Sequence, residues 1–381
     1  MNINNIMARK NLFEQVSFPK ITLKNRFVRS GLWMKAADEQ GHITPDLIDT
    51  YKALADGGAG LIITEYTYID ANDQPNPRMI GMYDDSFIPE WNEIIAYAHS
   101  KDVKIACQIA MGGSQSGFEA SKHRRMIAPS AVLNRVTGIM PEEMTETDFQ
   151  HVIDCHAKAA LRVRQAGFDA VQIHAAHGYL LSQFLTPYYN RRKDQYGGTL
   201  HNRARLIYEV VAAVRKAVGN DFPVMIKLNF DDFMSEGEGL TFPESLAMFE
   251  HLDTLGVDFI EPSGTNLSSG NGITQSFPHI ARAIEKQSYF KEQVSEIARH
   301  ITTPLILVGG NRNIEVMDDL LNDKNIPLFS LARTLLAEPD LINKWEANPN
   351  YVPKCIACNK CGETTPHSCI LNRRKKNRDE L

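Results

Sequence analysis

The chain has 381 residues, of which 43% are hydrophobic and 23% are charged, a composition typical of a globular protein with a sizeable core. Its formal net charge of −5 argues against nucleic acid or an anionic membrane surface as the main partner. No apolar run approaches the ~20 residues of a transmembrane helix. Residues 1–10 also lack the layout of a signal peptide, so we expect a cytoplasmic protein.

Short, β-rich apolar runs alternate with longer helical patterns along the chain, which is the layout of a parallel α/β fold. Strands are predicted at residues 27–31, 61–65, 104–109, 170–174, 224–228, 259–262, 304–309 and 328–331. Helices are predicted at residues 45–55, 89–100, 148–165, 202–218, 243–255, 291–300, 314–321 and 339–345. Thr147 with Gln150, and Thr241 with Glu244, match the capping-box pattern of a helix start.

Eight consecutive strand–helix units match a single (β/α)8 TIM barrel. An open doubly wound sheet is the alternative, but no GxGxxG motif follows the first strand to support it. Residues 12–25 are predicted to form a hairpin that closes the bottom of the barrel. We expect residues 1–350 to form this barrel and residues 351–381 to form a short cysteine-containing tail.

Polar residues gather at the predicted carboxyl ends of the strands, which is where barrel enzymes carry their catalytic groups. In chain order these residues are Ser30, Glu65, Gln108, His174, Lys227, Glu261, Ser263, Gly309, Gly310 and Arg333. The pattern therefore predicts an active site at this end of the barrel.

Two imidazoles and a phenol, those of His174, His177 and Tyr179, lie on the turn that follows the fourth strand. These groups can donate hydrogen bonds to a substrate oxygen or move a proton near neutral pH. Two other interpretations stay open at this stage. The histidines could be ordinary core residues, or they could bind zinc together with Glu65 or Glu261.

The ends of strands seven and eight carry the features of a phosphate site. Gly309 and Gly310 follow the seventh strand, while Ala332 and Arg333 follow the eighth, where barrels often hold a phosphate. Glycine lets backbone amides approach an anion closely, and arginine supplies a pair of parallel donors. The alternative is a turn built on two glycines beside a surface arginine.

A thirty-residue run carries a resemblance to a known family. It contains His174, His177 and Tyr179, then the segment 190–198 (NRRKDQYGG), then residues 202–205 (NRAR). This run resembles the central signature of the old yellow enzyme and NADH:flavin oxidoreductase family, and the likeness extends over residues 12–345. The resemblance implies FMN as cofactor, NADH or NADPH as reductant, and a small electron-poor alkene such as an enone as substrate.

The resemblance also implies a role for each residue of the site. His174 and His177 would bind the activating oxygen of the substrate, hydride would pass from the reduced flavin, and Tyr179 would supply a proton. Implied flavin contacts are Ser30, Gly31, Leu32, Trp33, Tyr66, Gln108, Lys227, Gly309, Gly310, Ala332 and Arg333. The last four would hold the phosphate, and the Gln108 amide would meet the pyrimidine edge of the ring.

Two of these positions depart from the usual family pattern. Lys227 stands where many members carry arginine, and its positive charge is expected to favour the anionic reduced flavin. Trp33 stands where many ene reductases carry threonine or cysteine. From the residues alone, Lys227 could instead form an ion pair with Glu65 or Asp231, and Trp33 could serve in packing.

Four of the six cysteines are crowded near the end of the chain, at Cys355, Cys358, Cys361 and Cys369. Disulfides are disfavoured in a reducing compartment, so the cluster suggests a metal site. The segment is similar to the iron–sulfur ligand segment of 2,4-dienoyl-CoA reductase and trimethylamine dehydrogenase, which implies a [4Fe–4S] cluster. A zinc site and free thiols are the alternatives that the residues leave open.

Two further functions are carried as alternatives to the reductase. One is a phosphate-binding barrel lyase or isomerase that uses the histidines for proton transfer. The other is a non-catalytic flavin-storage or electron-transfer protein. The sequence sets neither the physiological substrate nor the choice between NADH and NADPH, and it leaves a homo-oligomer open.

Overall fold

The computed structural model describes residues 9–117, 124–267 and 283–372 of the chain. Residues 373–381 of the predicted cysteine tail, and residues 1–8 of the N-terminal segment, lie outside these ranges. Among the helices of the described residues, none is both long enough and apolar enough to cross a membrane.

Strands and helices alternate in the order that the sequence predicts. The strands are β1 (Val16–Phe18), β2 (Ile21–Leu23), β3 (Phe27–Arg29), β4 (Leu61–Tyr68), β5 (Lys104–Ala110), β6 (Ile127–Ala128), β7 (Glu142–Glu143), β8 (Ala170–Ala175), β9 (Val224–Asp231), β10 (Phe259–Gly264), β11 (Ile306–Leu307) and β12 (Leu328–Leu331). The helices are α1 (Pro45–Asp56), α2 (Asn92–Ser100), α3 (Glu146–Gln165), α4 (Leu180–Leu185), α5 (Leu200–Arg203), α6 (Arg205–Val218), α7 (Phe242–Thr254), α8 (Lys291–His300), α9 (Ile314–Asp323), α10 (Arg333–Ala337) and α11 (Leu341–Ala347).

Eight of these strands form one parallel sheet, in the order β10-β9-β8-β5-β4-β3-β12-β11. A parallel bridge between Ile260 and Leu305 joins β10 to the residue just before β11, so the sheet closes on itself. The eight members coincide with the eight strands predicted from the sequence. The predicted TIM barrel is therefore confirmed, and the open doubly wound alternative is wrong.

The predicted hairpin at the bottom of the barrel is also confirmed. Strands β1 and β2 pair antiparallel, with Val16 opposite Leu23. The Phe18 ring packs edge-on against Phe259 at 4.8 Å between centroids. Because Phe259 and Leu61 begin their strands and share an apolar cluster with Leu23, the hairpin covers the amino ends of the strands. The carboxyl ends are left for the site.

The outer helices pack one apolar stripe each onto the sheet. In α6 the buried residues are Leu206, Ile207, Val210, Val211, Val214 and Val218. This spacing follows the 3.6-residue helical repeat and leaves the charged residues of the helix toward solvent. Burial of each such side chain stabilises the fold by ~1.5–3 kcal/mol.

Both predicted capping boxes are wrong. Helix α3 begins two residues earlier than predicted, and the Thr145 backbone N–H donates to the Asp148 carboxylate at 2.7 Å, so the box uses Thr145 rather than Thr147. At α7, Thr241 is the N-cap but its side chain makes no capping hydrogen bond. Glu244 instead accepts from the Arg203 guanidinium at 2.5 Å. Arg125 likewise binds the Asp148 carboxylate of α3. At both helix starts, an arginine from another part of the fold therefore binds the carboxylate.

The described part of the tail folds back onto the barrel. The Lys354 backbone N–H donates to the buried carboxylate of Glu338 at 2.6 Å, and Arg312 donates to the Pro353 carbonyl at 3.2 Å. The Asn372 side chain donates to the carbonyl of Ala337 in α10 at 2.8 Å. These contacts hold the tail over the end of the barrel where β11 and β12 finish.

Candidate active site

A cavity of about 480 Å³ lies at the carboxyl ends of the barrel strands. All three predicted catalytic residues and all eleven predicted flavin contacts line this one cavity. The residues come from strands or strand-end loops spread between Ser30 and Arg333. The barrel therefore brings together groups that are up to three hundred positions apart in the sequence.

His174 lies near the end of β8 and His177 lies on the turn that follows, and both imidazoles line the cavity. His177 has a positive φ of 64° and Gly178 a φ of 84°, so the chain leaves the strand sharply before α4 begins. A non-glycine residue in this region is strained, and such strain is often found at functional sites. The rings of His174 and His177 lie 5.2 Å apart, nearly perpendicular to each other.

The two histidines differ in their partners. His177 Nε2 lies 2.7 Å from the Ser263 hydroxyl, which sequence analysis placed at a strand end without assigning it a role. His174 Nδ1 is buried and has no hydrogen-bond partner among the residues that the structure describes. A buried polar nitrogen without a partner is costly in a protein interior, so a ligand oxygen or nitrogen is the natural partner for this atom.

Both imidazoles are held neutral. Burial lowers the pKa of His177 to about 3, with the Lys227 charge acting in the same direction. Burial, together with His177 and Lys227, also lowers the pKa of His174 well below its ordinary value. A neutral imidazole can donate a hydrogen bond to a substrate oxygen, but it carries no positive charge.

The geometry does not favour zinc at the histidines. Of the residues that the structure describes, no third histidine, cysteine or carboxylate joins His174 and His177 in a group of close ligand atoms. Glu65 uses its carboxylate to accept from the backbone N–H groups of Met34 at 2.5 Å and Ile80 at 3.0 Å. It is thus committed to holding the loops beside β3 and β4.

Tyr179 lies in a small cluster of hydroxyl groups. Its ring packs 5.1 Å from His174 and 5.2 Å from Tyr66. The Asn76 amide donates to Tyr66 at 2.9 Å and to Tyr179 at 3.3 Å. Burial raises the pKa of Tyr179, so the phenol keeps its proton at neutral pH. Asn76 was missed from the sequence because it lies in a loop with no periodic pattern.

The interior wall of the cavity carries a buried polar network. Lys227 Nζ lies 3.1 Å from the Glu261 carboxylate and 3.0 Å from the Ser30 hydroxyl. The Gln172 amide donates to Glu261 at 2.9 Å, and the Gln108 amide donates to Gln172 at 2.6 Å. One connected set of side chains therefore joins four barrel strands beneath the cavity.

Neither of the two ion-pair partners expected for Lys227 is its partner in the structure. The ammonium pairs with Glu261, which neighbours it in register on β10, and not with Glu65 or Asp231. Asp231 accepts from the backbone N–H of Phe233 at 2.6 Å. Parallel pairing of β9 with β10 decides the pair, and this pairing has no signature within either strand.

Two glycine positions leave no room for a side chain. A Cβ at Gly31 would lie 2.7 Å from the Gln108 side-chain oxygen. Gly309 has a φ of 114°, and a Cβ there would lie 2.8 Å from the Tyr289 and Phe290 rings. The absence of a Cβ therefore lets the Gln108 side chain pack directly against Gly31 and the two aromatic rings pack against Gly309.

The expected phosphate end of the cavity is built from the turns after β11 and β12. The carbonyls of Gly309 and Gly310 accept from the backbone N–H groups of Tyr289 and Ser288. Arg333 lines the cavity and its guanidinium donates to the Asn359 side chain of the tail. The arginine therefore joins the barrel to the tail at this end.

Trp33 both lines the cavity and packs against the tail. Its indole meets the His367 ring edge-on at 4.8 Å between centroids. Within the described part of the chain, its buried Nε1 has no hydrogen-bond partner. His367 Nδ1 lies 2.8 Å from the Trp33 carbonyl, and the backbone N–H of His367 donates to the Met34 carbonyl at 2.7 Å. Sequence analysis missed His367, since only its place between two cysteines sets it apart.

The four tail cysteines surround a small pocket next to the main cavity, together with Arg333. Cys355 and Cys361 line the main cavity as well. All four lie within the described residues, yet no three of their sulfurs lie within 4.8 Å of one another. Tetrahedral zinc with Zn–S bonds of about 2.3 Å needs sulfurs roughly 3.8 Å apart, so this spacing does not match a closed zinc site.

Comparisons with known proteins show which family the chain matches. The chain matches the sequence model of the NADH:flavin oxidoreductase / NADH oxidase family over residues 11–350. It is 31% identical over 352 residues to an NADH oxidase from Thermoanaerobacter brockii, covering 92% of this chain and 53% of the relative. It is 33% identical over 329 residues to an NADPH dehydrogenase from Bacillus cytotoxicus, covering 86% and 90%.

The fold also resembles a solved structure. An old yellow enzyme homologue from Zymomonas mobilis superimposes with a TM-score of 0.76 at 23% identity, covering 91% of this chain and 96% of that one. At this identity the likeness concerns the barrel architecture. The chain spans about half the length of the NADH oxidase that it matches.

Proposed function

The chain belongs to the NADH:flavin oxidoreductase / NADH oxidase family, and we propose that it is an FMN-dependent reductase that uses NADH or NADPH to reduce electron-poor alkenes such as enones. The observation that carries this proposal is the pair of neutral imidazoles beside a protonated phenol in one cavity. The lyase and storage alternatives have no comparable support from the relatives.

The cavity fits the cofactor on features of its own. The close glycine at Gly31, the unpartnered Trp33 Nε1 and the Gln108 amide suit a flat, polar-edged ring. Gly309 and Arg333 suit a phosphate at the other end. When bound, FMN would supply the hydride chemistry, taking a hydride from the nicotinamide and passing it to the substrate.

The residues of the chain would prepare the substrate. His174 and His177 would donate hydrogen bonds to its carbonyl oxygen and so draw electron density from the conjugated double bond. Since both imidazoles are neutral, they can donate these hydrogen bonds at pH 7 without a change in their protonation state. The Tyr179 hydroxyl would donate a proton to the α-carbon, a contribution of ~10² to 10⁴ in rate.

A spectrum of the purified protein tests the proposal. We expect a yellow protein whose visible band bleaches anaerobically when NADH or NADPH is added and returns when an enone is supplied. The nicotinamide and the enone would use the same cavity in turn, which gives ping-pong kinetics. A colourless protein that takes up no added FMN, or one that catalyses a lyase reaction without flavin, contradicts the proposal.

The paired histidines can be tested separately from flavin binding. In a His174→Ala/His177→Ala variant we expect FMN to remain bound while enone reduction falls by ~10²-fold or more, since the oxygen loses both donors. Stopped-flow measurement of flavin reoxidation by the enone reads this step directly. Reoxidation at the parent rate would contradict the assigned role and favour a storage or electron-transfer function.

We further propose that Cys355, Cys358, Cys361 and Cys369 hold a [4Fe–4S] cluster beside the cavity. Four thiols around one pocket, spaced more widely than tetrahedral zinc requires, support this choice. Anaerobically purified protein should contain about four iron and four sulfide per chain. Cys358→Ser should lose them, whereas Cys155→Ser, whose sulfur lies outside the tail, should retain them. Iron-free protein with four reactive thiols would contradict the cluster.

A further inference from the structure

A second cluster of metal-binding side chains lies away from the central cavity. His151 and Cys155 are four residues apart on α3, so they share one face of the helix. Asp70 approaches them from the loop that follows β4. None of the three lines the cavity at the strand ends.

The three donor atoms converge on one point. The Asp70 carboxylate lies 2.6 Å from His151 Nε2, and the Cys155 sulfur lies 3.6 Å from the same nitrogen. All three donor atoms lie within 4.8 Å of one another. An ion pair accounts for the distance between Asp70 and His151, and the four-residue spacing on α3 places the Cys155 thiol beside the same ring nitrogen.

The arrangement does not match an activated nucleophile. In a cysteine–histidine–carboxylate triad, the thiol and the carboxylate contact opposite ring nitrogens. Here the carboxylate and the sulfur both lie closest to Nε2, while the sulfur is 3.9 Å from Nδ1. A metal ion bound at His151 Nε2 would therefore meet all three donors on one side of the ring.

We propose that Asp70, His151 and Cys155 form a zinc site, with solvent in the fourth position. Tetrahedral bonds of about 2.0 Å to nitrogen and oxygen and 2.3 Å to sulfur set N···S at roughly 3.5 Å and N···O at roughly 3.3 Å. The observed N···S distance is 3.6 Å. The N···O distance must open, which His151 allows because its side chain is 51% exposed.

The donor set also suits zinc chemically. Nitrogen, oxygen and sulfur donors together favour a borderline metal over calcium or magnesium, which prefer oxygen alone. On binding, the Cys155 thiol would release its proton to solvent. The thiolate and the carboxylate would then balance the two charges of the ion beside a neutral imidazole.

The site would act on the loop that carries Asp70. Three residues later, the buried Asp73 accepts from the Gly112 N–H at 2.6 Å and from the Ser116 hydroxyl at 2.5 Å. Six residues later, Asn76 donates to Tyr66 and Tyr179. Zinc would tie this loop to α3, so its binding stabilises the segment that positions the two tyrosines.

Equilibrium dialysis of the 381-residue, FMN-loaded protein against zinc chloride tests the site. We expect the parent protein to bind one zinc ion more than His151→Ala, Cys155→Ser or Asp70→Asn. We also expect zinc to raise the melting temperature of the parent by about 2–4 °C and to leave that of the three variants unchanged. Retained FMN and an unchanged circular dichroism spectrum establish that each variant is folded.

Two controls isolate the site. Asp154 lies on the same helix but is not one of the three proposed ligands, so the Asp154→Asn variant should keep the zinc. Cys358→Ser should also keep the zinc, because this change leaves the three proposed ligands intact. If the tail bound the zinc instead, Cys358→Ser would lose it and the Asp70, His151 and Cys155 variants would keep it. Equal zinc content in the parent and in the folded Asp70, His151 and Cys155 variants would overturn the proposal.

Discussion

The Lys227 ammonium and the Glu261 carboxylate lie 3.1 Å apart, and the Glu261 side chain has no exposed surface. Sequence analysis expected the Lys227 charge to favour reduced flavin. The structure adds a carboxylate that offsets much of this charge. The field at the cavity therefore depends on the pair, with the Ser30 hydroxyl between its members.

Replacing Glu261 by glutamine should raise the two-electron midpoint potential of the bound flavin. The amide keeps the shape of the side chain but removes its charge, so the Lys227 charge would stabilise the electron-rich reduced form more strongly. We expect a rise of about 30 mV or more, since 30 mV corresponds to ~1.4 kcal/mol for a two-electron couple. Reductive titration against a reference dye measures the shift.

The opposite change provides the control. Lys227→Met removes the positive charge and should shift the potential downward. If the potential of the Glu261→Gln variant stays the same or falls, the pair does not act on the flavin, and the network serves stability alone.

At the scale of single elements, α3 shows how a distant side chain decides where a helix begins. The predicted start rested on Thr147 and Gln150, but the chain begins the helix at Glu146 and caps it with Asp148. The Arg125 guanidinium lies 2.6 Å from the Asp148 carboxylate. This pairing and the backbone hydrogen bond lower the pKa of Asp148 to about 2.

Asp148→Ala should lower the free energy of unfolding by ~1–2 kcal/mol, because it removes both the cap and the Arg125 partner. Gln150→Ala is the matched control and should change it by less than ~0.5 kcal/mol. Urea denaturation of both variants at pH 7 compares them. If Gln150→Ala were the more damaging change, the cap would lie where the sequence pattern first suggested.

At the scale of the whole molecule, the fold buries a neutral histidine besides those of the cavity. His156 lies on the inner face of α3, where its Nδ1 contacts the Val152 carbonyl at 2.8 Å. Its Nε2 has no partner in residues 9–117, 124–267 and 283–372. Burial lowers the pKa of His156 to about 4. In the unfolded chain the same imidazole has a pKa near 6.5, so it binds a proton at a higher pH than it does in the native state.

Stability should consequently fall as the pH drops below 6.5 toward 4. In that window the unfolded chain binds a proton at residue 156 that the native state does not bind, so acid favours unfolding. His156 alone should cost about 2 kcal/mol between pH 7 and pH 5. His156→Gln should show a smaller loss over the same interval in urea denaturation. An identical loss in both proteins would contradict a buried neutral His156.

The order of strands and helices could be predicted from the chain, and so could the residues that line the cavity. A parallel strand that is buried on both faces appears in the sequence as an apolar run. The polar side chains at the carboxyl ends of such strands lie together at one end of a barrel. His174, His177, Tyr179 and Gly309 could be identified because they lie at the end of such a run or within a few residues after it. Their chemical roles in the reaction stay predictions.

Other features depended on contacts between residues that are far apart in the sequence. The pairing of Lys227 with Glu261, the placement of Asn76 and His367 beside the cavity, and the approach of Asp70 to Cys155 belong to this group. Local patterns arise from the repeat of one strand or helix and can be read along the chain. Contacts between elements arise only when the closed barrel sets their register, so the tertiary structure alone decided them.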